Sequence, residues 1–171
     1  MTTPRVESRW ADSQLIGTVV RSVWQWQLVV AFSTVAVAVG IALLDPHLFG
    51  DIAFLAGLTA IAGATIAAIV IPWARHRDAV VALPLFDAAA IGLLAMSDEA
   101  LGYLWVIPIA WVATYYSMAA VTAALVVVLA LQLCRWAVPG SAAASPLEIV
   151  IVLLALGFLG VAMNQGARRT R

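Results

Sequence analysis

The sequence predicts an all-α protein, a polytopic membrane helix bundle of six transmembrane helices with both termini cytoplasmic. Three observations predict it. The chain is 64% hydrophobic and 11% charged, whereas a soluble domain is about 45–50% apolar and about 25% charged. The apolar excess comes in long blocks, as in proteins that cross a bilayer. The longest block, residues 101–133, would be about 50 Å long as one helix and must fold back inside a ~30 Å hydrocarbon core.

Residues 1–23 form a cytoplasmic N-terminal segment. From Ser13 to Trp24, the residues Leu15, Ile16, Val19, Val20 and Val23 recur at helical spacing, with Arg21 on another face. That pattern suits either a helix lying on the membrane surface or a plain extension of the first transmembrane helix. Without the apolar core and cleavage site of a signal peptide, the segment is expected to be retained.

The transmembrane domain covers residues 24–163. Span one, 24–44, stops at Asp45 and Pro46, where proline ends the helix. Span two, 52–73, ends at Pro72 and the cluster Arg75, His76, Arg77, Asp78; its Gly57, Gly63 and alanines permit close helix contact. Span three, 79–96, leads into an acidic turn at Ser97, Asp98 and Glu99. The block that must fold back does so most readily at Tyr115, Tyr116 and Ser117, giving spans four and five. A small-residue loop over 135–145 precedes span six, 146–163. Residues 164–171 begin a basic cytoplasmic linker.

Charge sets the orientation. All nine basic residues are arginines, and Arg5, Arg9, Arg21, Arg75, Arg77, Arg168, Arg169 and Arg171 fall on one side of this arrangement. Only Arg135 falls on the other, with Asp45, Asp51, Asp98, Glu99 and Glu148. The positive-inside bias then puts both termini in the cytoplasm, and an even number of spans satisfies it. Trp24, Trp26, Trp73 and Tyr116 sit at the inner edge, and Trp136 and Tyr103 near the outer one, as aromatic belts.

Asp87 is the only ionisable residue well inside a span, placed near the middle of span three, with Pro108 near the middle of span four. A carboxylate at the bilayer centre costs roughly 2.5–3.5 kcal/mol on insertion scales, so Asp87 is protonated, paired or turned into the bundle. It reads either as a proton-accepting or ligand-contacting group, or as a neutral carboxyl whose hydrogen bond fixes helix packing. Ser33, Thr34, Thr59 and the Leu104 carbonyl, freed by Pro108, are the partners at matching depth. Trp105 and Trp111 flank Pro108 six positions apart, roughly 600° of helix rotation, so they face different ways and form no one-sided cage. The ligand- or proton-sensing candidates are therefore Asp87, Pro108, Trp105, Trp111, Thr59 and Thr34.

Other chemistry finds no foothold. Net charge is zero, which excludes a broad nucleic-acid face. The lone Cys134 forms neither an intrachain disulfide nor a thiolate cluster. His47 and His76 fall on opposite sides of the bilayer and cannot share a metal or haem within one chain. No phosphate loop, nucleophile elbow or metalloprotease motif is present. No catalytic residue, metal or cofactor is expected.

Several segments in order carry a resemblance: LPLFDAAAIGLL, LGYLWVIPIAWVATYY, RWAVPG, the pre-helix Ser145-Pro146-Leu147-Glu148, and GFLGVAMNQGARRTR. Together they resemble the N-terminal six-span sensory region of bacterial membrane-anchored sensor histidine kinases and diguanylate cyclases. That family's proline-and-aspartate third span precedes a P-x-x-W-x-A-x-Y fourth span, here Pro108, Trp111, Ala113 and Tyr115. After Tyr116 this sequence departs from it, having SMAAV where the family carries glycine and arginines.

The resemblance implies a bacterial inner-membrane, multi-pass sensory domain of a two-component type, working as a homodimer. It would take a small apolar or membrane-borne ligand and signal through its last helix to an output module. The chain stops at Arg171, where that module would begin, so it reads as the sensory part by itself. The alternatives are a small proton-coupled transporter or channel using Asp87, with Pro84 and Pro108 breaking helices, or a structural anchor or oligomerisation domain. A single intramembrane charge and the lack of a visible inverted repeat weigh against transport.

Overall fold

The computed structural model describes residues 5–73, 79–137 and 145–169. The cluster Arg75, His76, Arg77 and Asp78 and most of the segment expected as a loop before span six lie outside the described residues. Six α-helices follow one another: α1 Arg5–Leu44, α2 Ile52–Val70, α3 Ala82–Ser97, α4 Val106–Tyr115, α5 Met118–Ala137 and α6 Pro146–Arg169. Two 3₁₀ segments, Pro46–Gly50 and Glu99–Trp105, precede α2 and α4, and no strand occurs among the described residues.

The helix boundaries follow from local chemistry. α1 runs unbroken for 40 residues, so the N-terminal segment continues the first apolar helix instead of forming a separate one. The acidic residues between helices are mostly caps. Asp45 accepts from the His47 N–H (3.2 Å), Asp51 from Ala53 (2.8 Å) and Asp98 from Ala100 (2.8 Å), each satisfying a donor that a helix start leaves free. At α6, Ser145 and Glu148 form a reciprocal capping box: the Glu148 N–H donates to Ser145 Oγ (3.2 Å) and the Ser145 N–H to Glu148 Oε2 (3.3 Å). Pro146 sits at the first helical position, where a missing N–H costs nothing.

The two prolines of the central region break no helix, contrary to the sequence-based expectation. Pro84 and Pro108 are each the third residue of their helices, within the first turn, where N–H groups have no intrahelical acceptor. The chain from Glu99 to Trp105 winds as 3₁₀, so α4 starts only two residues before Pro108. Pro108 therefore opens α4 and is not at the middle of a long span. The 3₁₀ run rises about 2.0 Å per residue and α4 about 1.5 Å, so together they cover about 29 Å. The fold-back between α4 and α5 falls at Tyr116 and Ser117.

Among the described residues, four helical stretches are long and apolar enough to cross a membrane: Val23–Leu44, Ile52–Val70, Met118–Arg135 and Pro146–Ala167. The shorter α3 is apolar as well. It forms the centre of the bundle: Leu83, Pro84, Asp87, Ala88, Ala90, Ile91, Gly92, Leu94 and Ala95 are all buried. Outer helices bury only one stripe, as α2 does with Phe54, Gly57, Ile61, Ala64 and Ala68. Their other faces present Phe32, Ile66, Leu154 and Phe158 to the surroundings. A surface as apolar as the core fits a membrane protein with transmembrane helices.

Close backbone approach holds α3 in place. A Cβ on Gly57 of α2 would lie 2.6 Å from Leu94 Cγ and 3.0 Å from the Ala90 carbonyl oxygen. One on Gly92 of α3 would lie 2.5 Å from Leu131 Cδ1 on α5. In lipid, where burial itself drives no helix association, such contact supplies dispersion energy instead.

Candidate functional site

Asp87 is the sixth residue of α3 and wholly buried. It meets α1 rather than any partner expected from depth. The Gln27 side-chain amide donates from Nε2 to Asp87 Oδ1 at 3.0 Å. Gln27 lies on the buried stripe of α1 made by Val23, Gln27, Val30, Thr34 and Ala38. Since Gln27 is one turn beyond Trp24, the pair sits toward the end of the bundle where α3 begins, not at mid-span.

Three buried oxygens here have no hydrogen-bond partner: Asp87 Oδ2, Gln27 Oε1 and Thr34 Oγ1. The first two belong to the very groups already joined through Oδ1 and Nε2. A carboxylic acid facing a primary amide can close a ring of two hydrogen bonds, with its O–H donating to the amide oxygen. A neutral Asp87 would thus satisfy both oxygens at once, and no cation is needed to make the buried group tolerable.

The other sequence candidates divide. Thr34, Trp105, Pro108 and Trp111 are buried. The Trp105 indole Nε1 donates to the Ala88 carbonyl at 2.8 Å, tying the 3₁₀ segment to α3 next to Asp87. Thr59 does not partner Asp87: its side chain is exposed and its hydroxyl donates back to the Leu55 carbonyl of its own helix at 2.8 Å. It belongs to the outward face of α2 because the buried stripe passes through Gly57 and Ile61 instead.

A second polar residue missing from the expectation is Asn164 of α6, also buried. Its Nδ2 donates to the Ala113 carbonyl (2.8 Å) and the Tyr116 carbonyl (2.9 Å), two of the acceptors that the end of α4 leaves without helical donors. The adjacent Tyr115 ring stacks edge-on against Trp26, with centroids 6.1 Å apart and planes at 73°. The end of α4 thus touches α1 beside Gln27 and α6 at Asn164. Gln27 and Asn164 share a legible signature. Each is a polar residue at a buried helical spacing, Gln27 between Val23 and Val30, Asn164 after Leu156 and Gly160.

A separate polar group lies where α5 ends and α6 begins. Arg135 and Gln132 are buried, and the Arg135 guanidinium donates to Gln132 Oε1 at 3.1 Å. Glu99, Tyr103 and Glu148 line the same small cleft. The Glu148 carboxyl beside it raises the Glu99 carboxyl above its ordinary range, chiefly through a hydrogen bond, while Arg135 pulls the other way. Among the described residues, no cluster of three or more His, Cys, Asp or Glu side chains could hold a metal ion.

No family model matches this chain, and no curated protein or solved structure matches it either.

Proposed function

We propose that this chain is the membrane-embedded sensory domain of a bacterial signalling receptor, with the six helices crossing the inner membrane and both termini in the cytoplasm. On this reading a stimulus acting near Asp87 shifts α1 and α4, and α6 carries the shift to a cytoplasmic output module. One observation carries the reading, a contiguous run of contacts leading into the exit helix. Gln27 binds Asp87, its neighbour Trp26 packs on Tyr115, and the next residue, Tyr116, is held by Asn164 of α6. From there α6 continues unbroken through Arg169.

The arginine asymmetry supports the orientation. The combined length of the 3₁₀ run and α4 supports a crossing there, and α3, at 16 residues, is about 24 Å long. A parallel homodimer is the working form of this proposal, since paired exit helices suit paired output modules.

The test joins Arg169, in helical register, to a dimeric histidine-kinase reporter module. The junction is then lengthened one residue at a time. Output should rise and fall with a period of about 3.6 residues, and Asn164→Ala should flatten that response. Output indifferent both to phase and to Asn164 overturns the reading. Solute flux driven by a pH gradient in proteoliposomes, lost in Asp87→Asn, would favour proton-coupled transport in its place.

A further inference from the structure

We propose that Asp87 and Gln27 form a proton-binding site: one proton on Asp87 Oδ2, donated to Gln27 Oε1, closes an acid–amide ring that ties α1 to α3, and its loss releases the tie. This deepens the sensory reading by naming the proton as the stimulus, and rests on that reading for what the release accomplishes.

The geometry supplies half of the ring. Gln27 Nε2 donates to Asp87 Oδ1 at 3.0 Å, and the two atoms needed for the other half, Asp87 Oδ2 and Gln27 Oε1, are buried without partners. A proton on Asp87 Oδ2 satisfies both at once, whereas neither oxygen is a donor when Asp87 is ionised. On release the proton passes to water, and the carboxylate keeps the Nε2 bond while its second oxygen repels the amide oxygen. In a medium of low polarity that repulsion and the bare charge are both costly, so the contact loosens as the charge appears.

Among the described side chains, none beside Asp87 would neutralise the carboxylate: α1 carries no titratable residue from Val23 to Leu44. α2 carries no titratable residue, α4 only Tyr115, and α5 only Cys134 and Arg135 in its last turn. Arg135 is engaged with Gln132 in the cleft shared with Glu99 and Glu148. From the segment before α4, the neighbouring group is the Trp105 indole, already donating to the Ala88 carbonyl. The proton on Asp87 is therefore the one charge-setting event at this contact among the described residues.

Two variants fix the end states. Asp87→Asn replaces the acid–amide ring by an amide–amide ring, which also has two hydrogen bonds but no proton to lose. Gln27→Leu removes the ring altogether. The full chain in lipid nanodiscs is titrated with infrared detection of the protonated-carboxyl C=O stretch. In parallel, spin labels on Leu28→Cys and Phe86→Cys, both exposed positions, report the α1–α3 distance in a Cys134→Ser background.

The wild type should show a band absent from Asp87→Asn and shifted in Gln27→Leu. As pH rises, loss of that band should coincide with a longer label distance, whereas Asp87→Asn stays closed at every pH. Gln27→Met replaces Gln27→Leu if the latter does not fold. The proposal is overturned if no Asp87-dependent band exists, if the band ignores removal of Gln27, or if the distance does not follow the titration. These readouts need no output module. A ring that opens while the reporter stays silent counts against the sensory reading alone, and a working reporter without the band counts against the ring alone.

Discussion

The Gln27 amide reaches the Asp87 carboxyl from 60 positions away in the chain, at 3.0 Å, with both side chains withdrawn from the surface. The bond joins the first helix to the central one, and both groups keep one oxygen without a partner. A polar pair in that state makes distinct demands on each substitution.

Asp87→Asn should fold with little change in stability, because an amide retains both the acceptor for Gln27 Nε2 and a donor for Gln27 Oε1. Gln27→Leu should cost more, about 1–2 kcal/mol, by leaving the carboxyl without any partner. Reversible unfolding in mixed micelles measures both. A double-mutant cycle should return a coupling of about 0.6–1.7 kcal/mol, the range known for bonds across membrane helices. Zero coupling would mean the pair contributes nothing to the contact.

Asn164→Ala removes the donor to two carbonyls at the end of α4. We expect about 1–2 kcal/mol of destabilisation. Asn164→Asp should be worse than Ala, since an ionised carboxylate would face two carbonyl oxygens. Equal stability of the two variants would contradict the assigned donor role.

The glycines of α2 give a matched comparison. Gly57→Ala must displace Leu94 or widen the approach to the Ala90 carbonyl, at about 1–3 kcal/mol. Gly63→Ala meets nothing within 4 Å and should be neutral or stabilising by up to about 1 kcal/mol through helix propensity. Thermal unfolding of the two variants side by side decides it.

Glu99 carries a pH dependence of definite sign. Its carboxyl is raised above the ordinary value by the Glu148 hydrogen bond, so the folded protein holds a proton there that the unfolded chain releases at lower pH. Stability from this contact is present below the ordinary glutamate range and falls as pH rises through the raised value. The pair is largely exposed, so the effect is modest and screened by salt. Glu148→Gln should flatten the stability profile in that window; an unchanged profile would remove the contact as its cause.

Orientation is open to a direct test. With Cys134→Ser as background, a cysteine at Asp98 should react with an impermeant thiol reagent from outside intact cells, and one at Arg169 only after the membrane is opened. Reaction of both from the same side would refute the three crossings expected between Asp98 and Arg169.

Hydropathy alone determined that the chain builds apolar helices of membrane length and that the block 101–133 turns back, expected at Tyr115, Tyr116 and Ser117 and found at Tyr116 and Ser117. Such features average over about twenty residues, and an aromatic or proline boundary marks them whatever the neighbours do. The caps at Asp45, Asp51, Asp98 and Ser145, which the structure revealed, are equally local, joining residues two or three places apart. Asp87 stood out in the sequence because a carboxyl amid apolar residues is costly wherever it points.

Only the tertiary structure decided what that carboxyl meets. Depth counting favoured Ser33, Thr34 and Thr59, but a hydrogen bond depends on which face each helix turns inward. On α2, Thr59 lies two residues, about 200°, from both Gly57 and Ile61 of the buried stripe and so faces outward, while on α1 the buried stripe passes through Gln27. The role of Pro108 was decided in the same way, since 3₁₀ winding before it moved the start of α4 and placed the proline in a first turn. Helix phase and winding come from the packing of α3 against its neighbours at Gly57 and Gly92, contacts between residues far apart in the chain that no local pattern encodes.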